Sequence, residues 1–107
     1  MKKIELSDYE FDVGTREVPM KKSYEVKESY VNLLLSPLLK LNGRELLLSQ
    51  KLASKILESK EDYILLEGVD YDKLCKAVNA HEGFSKHDIE LVRRVLEAPD
   101  VKVDEVK

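Results

Sequence analysis

A chain of 107 residues, 43% apolar and 36% charged, is one domain's worth of polypeptide and can bury a core without disulfides or a structural metal. Seventeen leucines exclude a disordered chain, and four glycines with three prolines exclude a linker or a fibrous protein. A formal charge of −3 gives no general attraction to phosphate backbones or acidic membranes.

The N-terminal residues alternate. Ile4 and Leu6 share one face, and Tyr9, Phe11 and Val13 repeat the period of two that marks a half-buried strand. Gly14-Thr15 offers a turn, so the expectation is a β-hairpin in which residues 9–13 pair with 16–20. Pro19 places the second strand at an edge. Ser23 can cap a helix beginning near Glu25, with Val26, Tyr30, Leu33 and Leu34 on one side. Ser36-Pro37 interrupts it, because proline removes a ladder bond and pushes its predecessor out of the helical region.

Asn42 is a good N-cap, and Glu45 stands where its carboxylate can reach back to the cap. The helix that follows carries Leu46, Leu47, Leu48, Leu52, Ala53, Ile56 and Leu57 to about Ser59. So broad an apolar arc points to a central helix touched on two sides, with Lys51, Lys55 and Glu58 on the wet face. Tyr63-Ile64-Leu65-Leu66-Glu67 is short and β-prone, a third strand ended by Gly68. A further helix opens with Asp70 as N-cap and Val69 stapled to Leu74. It carries Tyr71, Leu74, Cys75 and Val78 as its stripe and ends near Gly83. Phe84, Ser85, Asp88 and Ile89 then spell a capping box with a staple. The last helix is expected to turn Ile89, Val92 and Leu96 inward and to stop at Pro99. The expected fold is therefore α+β: an N-terminal hairpin and a short third strand packed on three to four helices, the last two an αα-hairpin. Residues 1–100 form one domain, and 101–107 form an edge strand or a mobile tail.

Nothing reactive converges. Cys75 cannot form an intrachain disulfide, which fits a reducing compartment. Cys75, His81 and His87 are spaced six apart, which puts neighbours about 120° apart on a helix and not on one metal-binding face. Asp70, Asp72 and Asp88 are explained as acids at helix starts. The four glycines at 14, 43, 68 and 83 are too scattered for a phosphate loop. No catalytic residue, cofactor or metal is expected, and the chain reads as no enzyme. The longest apolar stretch, from Val31 to Leu41, is broken by Asn32, Ser36, Pro37 and Lys40 and is far short of the ~20 residues of a spanning helix. Acids follow the basic start, so no leader sequence is expected either, and the expected location is the cytoplasm.

Two surfaces stand out. Ten of the eighteen residues from Val31 to Leu48 are apolar, more than one helix face can use. Leu34, Leu35, Leu38, Leu39 and Leu48 are accordingly candidates for a protein interface with a partner or with a second copy. The alternative is a helix–turn–helix in residues 71–97 whose second helix shows Lys86, His87, Arg93 and Arg94 to nucleic acid. Asp88, Glu90 and Glu97 oppose phosphates there, so nucleic acid is the less favoured partner.

The run Gly83-Phe84-Ser85-Lys86-His87-Asp88-Ile89-Glu90-Leu91-Val92-Arg93-Arg94-Val95-Leu96-Glu97-Ala98-Pro99 resembles small accessory proteins encoded among the structural genes of tailed bacteriophages. The overall layout is similar too, with a short β-rich start, leucine-rich helices and a charged tail. The resemblance implies a non-enzymatic role in virion or tail assembly, as a chaperone-like or connector component working through multimerisation, in the host cytoplasm or the virion. It carries no site residue across, because no family site is matched.

Overall fold

The computed structural model of the chain describes residues 1–12 and 14–101. Four strands and four helices follow one another as β1 (Lys2–Glu5), β2 (Tyr9–Asp12), β3 (Lys21–Tyr24), α1 (Val26–Leu34), α2 (Gly43–Glu58), β4 (Tyr63–Leu66), α3 (Gly68–Ala80) and α4 (Ile89–Leu96). The architecture is α+β, with two small antiparallel sheets.

The alternation of Ile4 and Leu6 buries both side chains beneath a sheet in which β1 pairs with β4, Ile4 opposite Ile64 and Lys2 opposite Leu66. On the other side of β1, the chain leaving α4 adds itself to the edge. Lys3 N–H donates to Pro99 O at 3.0 Å, and Val101 N–H donates to Met1 O at 2.7 Å. Residues 99–101 therefore extend the sheet, and 102–107 lie outside the described residues. An unpaired edge is thereby covered by the chain's own C-terminal segment.

The second sheet is the hairpin, with a correction. Its first strand begins at Tyr9 as the alternation places it, and Val13 lies outside the described residues. Its partner is Lys21–Tyr24 and not 16–20, so Tyr9 faces Tyr24 and Asp12 faces Lys21. Pro19 cannot donate to a ladder, and the tyrosine pair is the better register: the rings of Tyr9 and Tyr24 stack 4.7 Å apart and nearly parallel. Residues 14–20 become a loop closed by Thr15, whose N–H donates to Val18 O and whose Oγ1 accepts from Val18 N–H, both at 3.1 Å. A Cβ on Gly14 would lie 2.1 Å from Val18 O, so this loop admits only glycine there.

Helix α1 buries Val26, Tyr30, Leu33 and Leu34 as the spacing predicts. Its start is not capped by Ser23, which lies in β3. The carboxylate of Asp8, eighteen residues earlier, accepts from Val26 N–H at 2.9 Å. Ser36-Pro37 ends the helix as expected and opens a single 3₁₀ turn, Pro37–Leu39. Asn42 caps α2 by accepting from Glu45 N–H at 2.9 Å.

Helix α2 corrects the expectation of a central helix. It packs along α1, burying Ser49, Leu52, Ala53 and Ile56, and leaves Leu46, Leu47, Leu48 and Leu57 exposed. Helix α3 begins at Gly68, two residues before the expected cap, so Val69 is exposed on the first turn instead of stapled to Leu74. It ends at Ala80. The capping box of Ser85 and Asp88 forms as predicted but heads a 3₁₀ turn, Lys86–Asp88, which delays α4 to Ile89. Helix α4 is also rotated from expectation: Leu91 and Val95 are fully buried, Val92 is half-buried, and Ile89 and Leu96 are exposed.

The rotation has a cause in the hairpin. Arg94 Nη1 donates to Ser7 O at 2.6 Å, and its guanidinium lies 5.2 Å from the Tyr9 ring centre. Tyr9 OH donates to His87 O at 2.7 Å, and Tyr24 OH donates to Asp88. These bonds fix the polar side of α4 against β2 and β3, which aims Leu91 and Val95 at the core. Burial pushes the Asp88 carboxyl up, but hydrogen bonds from Tyr24 and Ser85, with His81 nearby, outweigh it and hold the carboxyl below its ordinary value.

A carboxylate depressed in the folded state adds stability above its unfolded pKa, and that contribution is lost as pH falls through the folded value. Urea midpoints should therefore fall as the pH drops below the ordinary aspartate range in the native chain, and Asp88→Asn should flatten part of that slope while costing about 1 kcal/mol at neutral pH. An unchanged slope in the variant refutes the assignment. Tyr30, by contrast, is fully buried with no hydrogen-bond partner for its hydroxyl among the described residues. Tyr30→Phe should stabilise the fold by about 1 kcal/mol in the same measurement, and a loss of that size would show that the hydroxyl is satisfied.

Candidate protein interface

The exposed side of α2 is built by its own phase. At 100° per residue, Leu46, Leu47, Gln50, Ser54 and Leu57 fall within an arc of about 100°, and none is charged. The three leucines are 46%, 64% and 48% exposed. Gln50 Nε2 donates to Ser54 Oγ at 3.0 Å, which links the two polar residues at the centre of the stripe. Arg44, Lys51 and Glu58 form one charged border, and the residues packed on α1 form the other.

The residues singled out from the sequence divide. Leu34 is fully buried in the core and is removed from the interface candidates, because α1 turns it toward its neighbours along with Tyr30. Leu39 is half-buried against the core and, with Leu41, Leu48 and Ser49, lines a cleft of about 160 Å³ next to Lys73 and Lys76. Leu35, Leu38 and Leu48 are exposed, Leu38 at 59%. The breadth of the apolar arc assigns Leu46, Leu47 and Leu57 to the core, and the structure puts them outside it. The signal that separates Leu47 and Leu57 is spacing: 47, 50, 54 and 57 step by three, four and three along an outer stripe distinct from the core stripe at 49, 52, 53 and 56.

A second apolar surface lies on α4. Phe84, Ile89, Val92 and Leu96 line an open groove of about 570 Å³ bordered by Ser85, Lys86, Arg93 and Glu97. It exists because α4's apolar residues span about 160° and the core takes only the half carrying Leu91 and Val95.

The cations proposed for nucleic acid are mostly engaged elsewhere. Arg94 is only 13% exposed and bonds to Glu90 at 3.1 Å as well as to Ser7. Arg93 lies 3.5 Å from both Glu90 and Glu97. The His87 ring packs on Phe11 at 4.3 Å, which leaves Lys86 as the one exposed member of the set without such a contact among the described residues. The segment is also shaped unlike a short helix–turn–helix: five residues and a 3₁₀ turn separate α3 from an α4 of eight residues.

Cys75 is half-buried beside Tyr71, whose hydroxyl donates to Val95 O at 2.7 Å. Burial, then the contact with Cys75, push that phenol up to about 12. His81 packs on Phe84 with ring centres 4.5 Å apart. Among the described residues no three His, Cys, Asp or Glu side chains gather as a metal site, and no helix is long and apolar enough to cross a membrane. Neither protein-family models, nor curated proteins, nor solved structures gave a match to the chain.

Proposed function

We propose that this chain is a non-catalytic protein–protein interaction module that works by self-association. One observation carries the reading: six leucines, Leu35, Leu38, Leu46, Leu47, Leu48 and Leu57, stand 36–64% exposed on the 3₁₀ turn and the helices beside it. Isolated exposed leucines are ordinary, but several on one helix arc free of charge are the composition of an interface centre. The charged residues favour the same reading. Arg93 and Arg94 are paired with glutamates next to them on the helix, and no segment concentrates positive charge for a polyanion. The resemblance of residues 83–99 to tailed-phage accessory proteins extends the proposal to virion or tail assembly, with the chain acting in the host cytoplasm or in the particle.

Sedimentation equilibrium tests the first part. Between about 10 and 500 µM the average mass should climb above the 12.3 kDa of one chain, as micromolar association requires. A mass fixed at one chain across that range refutes self-association. The coding context tests the second part: tail or capsid genes on both sides are expected, and a setting among regulatory or metabolic genes overturns the assembly role.

A further inference from the structure

We infer that the second copy docks on α2 itself, as an antiparallel helix pair about a twofold axis at the level of Leu52. This geometry rests on the self-association reading and specifies it. The seam residues Leu47, Gln50, Ser54 and Leu57 are symmetric about position 52, at offsets of five and two on either side. A twofold maps each residue onto the same residue of the partner, so in an antiparallel pair each position lies opposite its mirror about 52, and the contact needs a surface that matches its own reversal. This one does. Leu47 meets the partner's Leu57 at each end, and Gln50 meets the partner's Ser54 in the middle, like facing like in polarity.

The spacing is that of two heptads, with Leu47 and Ser54 at the a positions and Gln50 and Leu57 at d. Arg44, Lys51 and Glu58 then all occupy e, the border that faces its own copy in an antiparallel pair. Arg44 comes opposite the partner's Glu58, twice per dimer, and all three border residues are exposed. Only Lys51 faces itself, at the axis, where its long side chain can bend away into water. The seam lies about 120° around α2 from the side packed on α1, so the partner helix has an approach clear of the core. The polar pair in the middle sets the register, since a slip by one turn would bury Gln50 against leucine. A contact between helices of sixteen residues is small, so the dimer is reversible and concentration-dependent.

Sedimentation equilibrium on the full chain and five variants decides it, with circular dichroism confirming that each variant folds. Leu47→Glu should weaken dimerisation by more than about a hundredfold, because a twofold counts every substitution twice. Arg44→Glu and Glu58→Arg should each weaken it about three- to tenfold, and the double reversal in one chain should return it to within about twofold of the native value. Lys51→Gln should tighten the dimer, by about two- to fivefold. A dimer indifferent to Leu47→Glu overturns the α2 twofold and leaves self-association standing on another face. Single reversals that the double fails to rescue overturn the antiparallel arrangement alone. A native chain that stays monomeric at about 500 µM removes both this geometry and the self-association beneath it.

Discussion

Helix α2 is covered along one side only, and that constraint shapes the rest of the surface. A helix of sixteen residues lies against one of nine, with its last turn tied to α1 where Lys27 Nζ donates to Ser59 O at 2.7 Å. The core accepts Ser49, Leu52, Ala53 and Ile56, a stripe of small and branched side chains that lets the two helices approach closely. Everything apolar outside that stripe is left to solvent or to another chain. On the α3 side, the Lys55–Asp70 pair at 3.7 Å bridges a gap that side chains do not fill. An exposed ion pair of this kind adds little to stability. It spans the gap without closing it.

Helix α4 reaches the same one-sided burial by another route. Its apolar arc is wide enough to serve two surfaces, and the polar bonds to the hairpin choose which half goes in. The hairpin has little core of its own: two four-residue strands are marginal in isolation. It is held to the body by two tyrosine hydroxyls, one arginine and an aromatic contact with His87. Arg94 thus acts as a structural clamp, where an exposed arginine near a helix end would invite a nucleic-acid reading. Its neighbour Arg93 is held between two glutamates on its own helix, as i,i+3 and i,i+4 spacing allows.

Much of this is legible in the residues, and the failures share a physical origin. Sequence signals hold where the chemistry is local: the stop at Ser36-Pro37, the Asn42 cap, the Ser85–Asp88 box, the short strand at Tyr63 and the buried face of α1. What depends on distant partners is lost. Asp8 caps a helix from another element, β1 needs β4 to be a strand at all, and β3 is placed by Tyr9 finding Tyr24. The phase of α4 is not written in its apolar residues, because all five are equally suited to burial, and the bonds from Tyr9, Tyr24 and Arg94 break the tie. The α2 surface fails for the opposite reason. Its apolar residues look like one arc but carry two periodicities, a core stripe and a seam, and leucine composition alone does not separate them.

The content of that seam bears on how such a surface can stand exposed on a single chain. Four leucines at 47, 50, 54 and 57 would bind harder, but they would also accept any apolar helix in any register. Gln50 and Ser54 share one hydrogen bond while the helix is alone, and their remaining donors and acceptors stay with water until a partner arrives. The leucines are thereby separated into two small patches about 15 Å apart along the helix, each too small to drive indiscriminate aggregation. A partner gains from both patches only if it presents leucines at the same separation and tolerates polar atoms between them. A second copy of α2, run in the opposite direction, meets both conditions with no further adjustment.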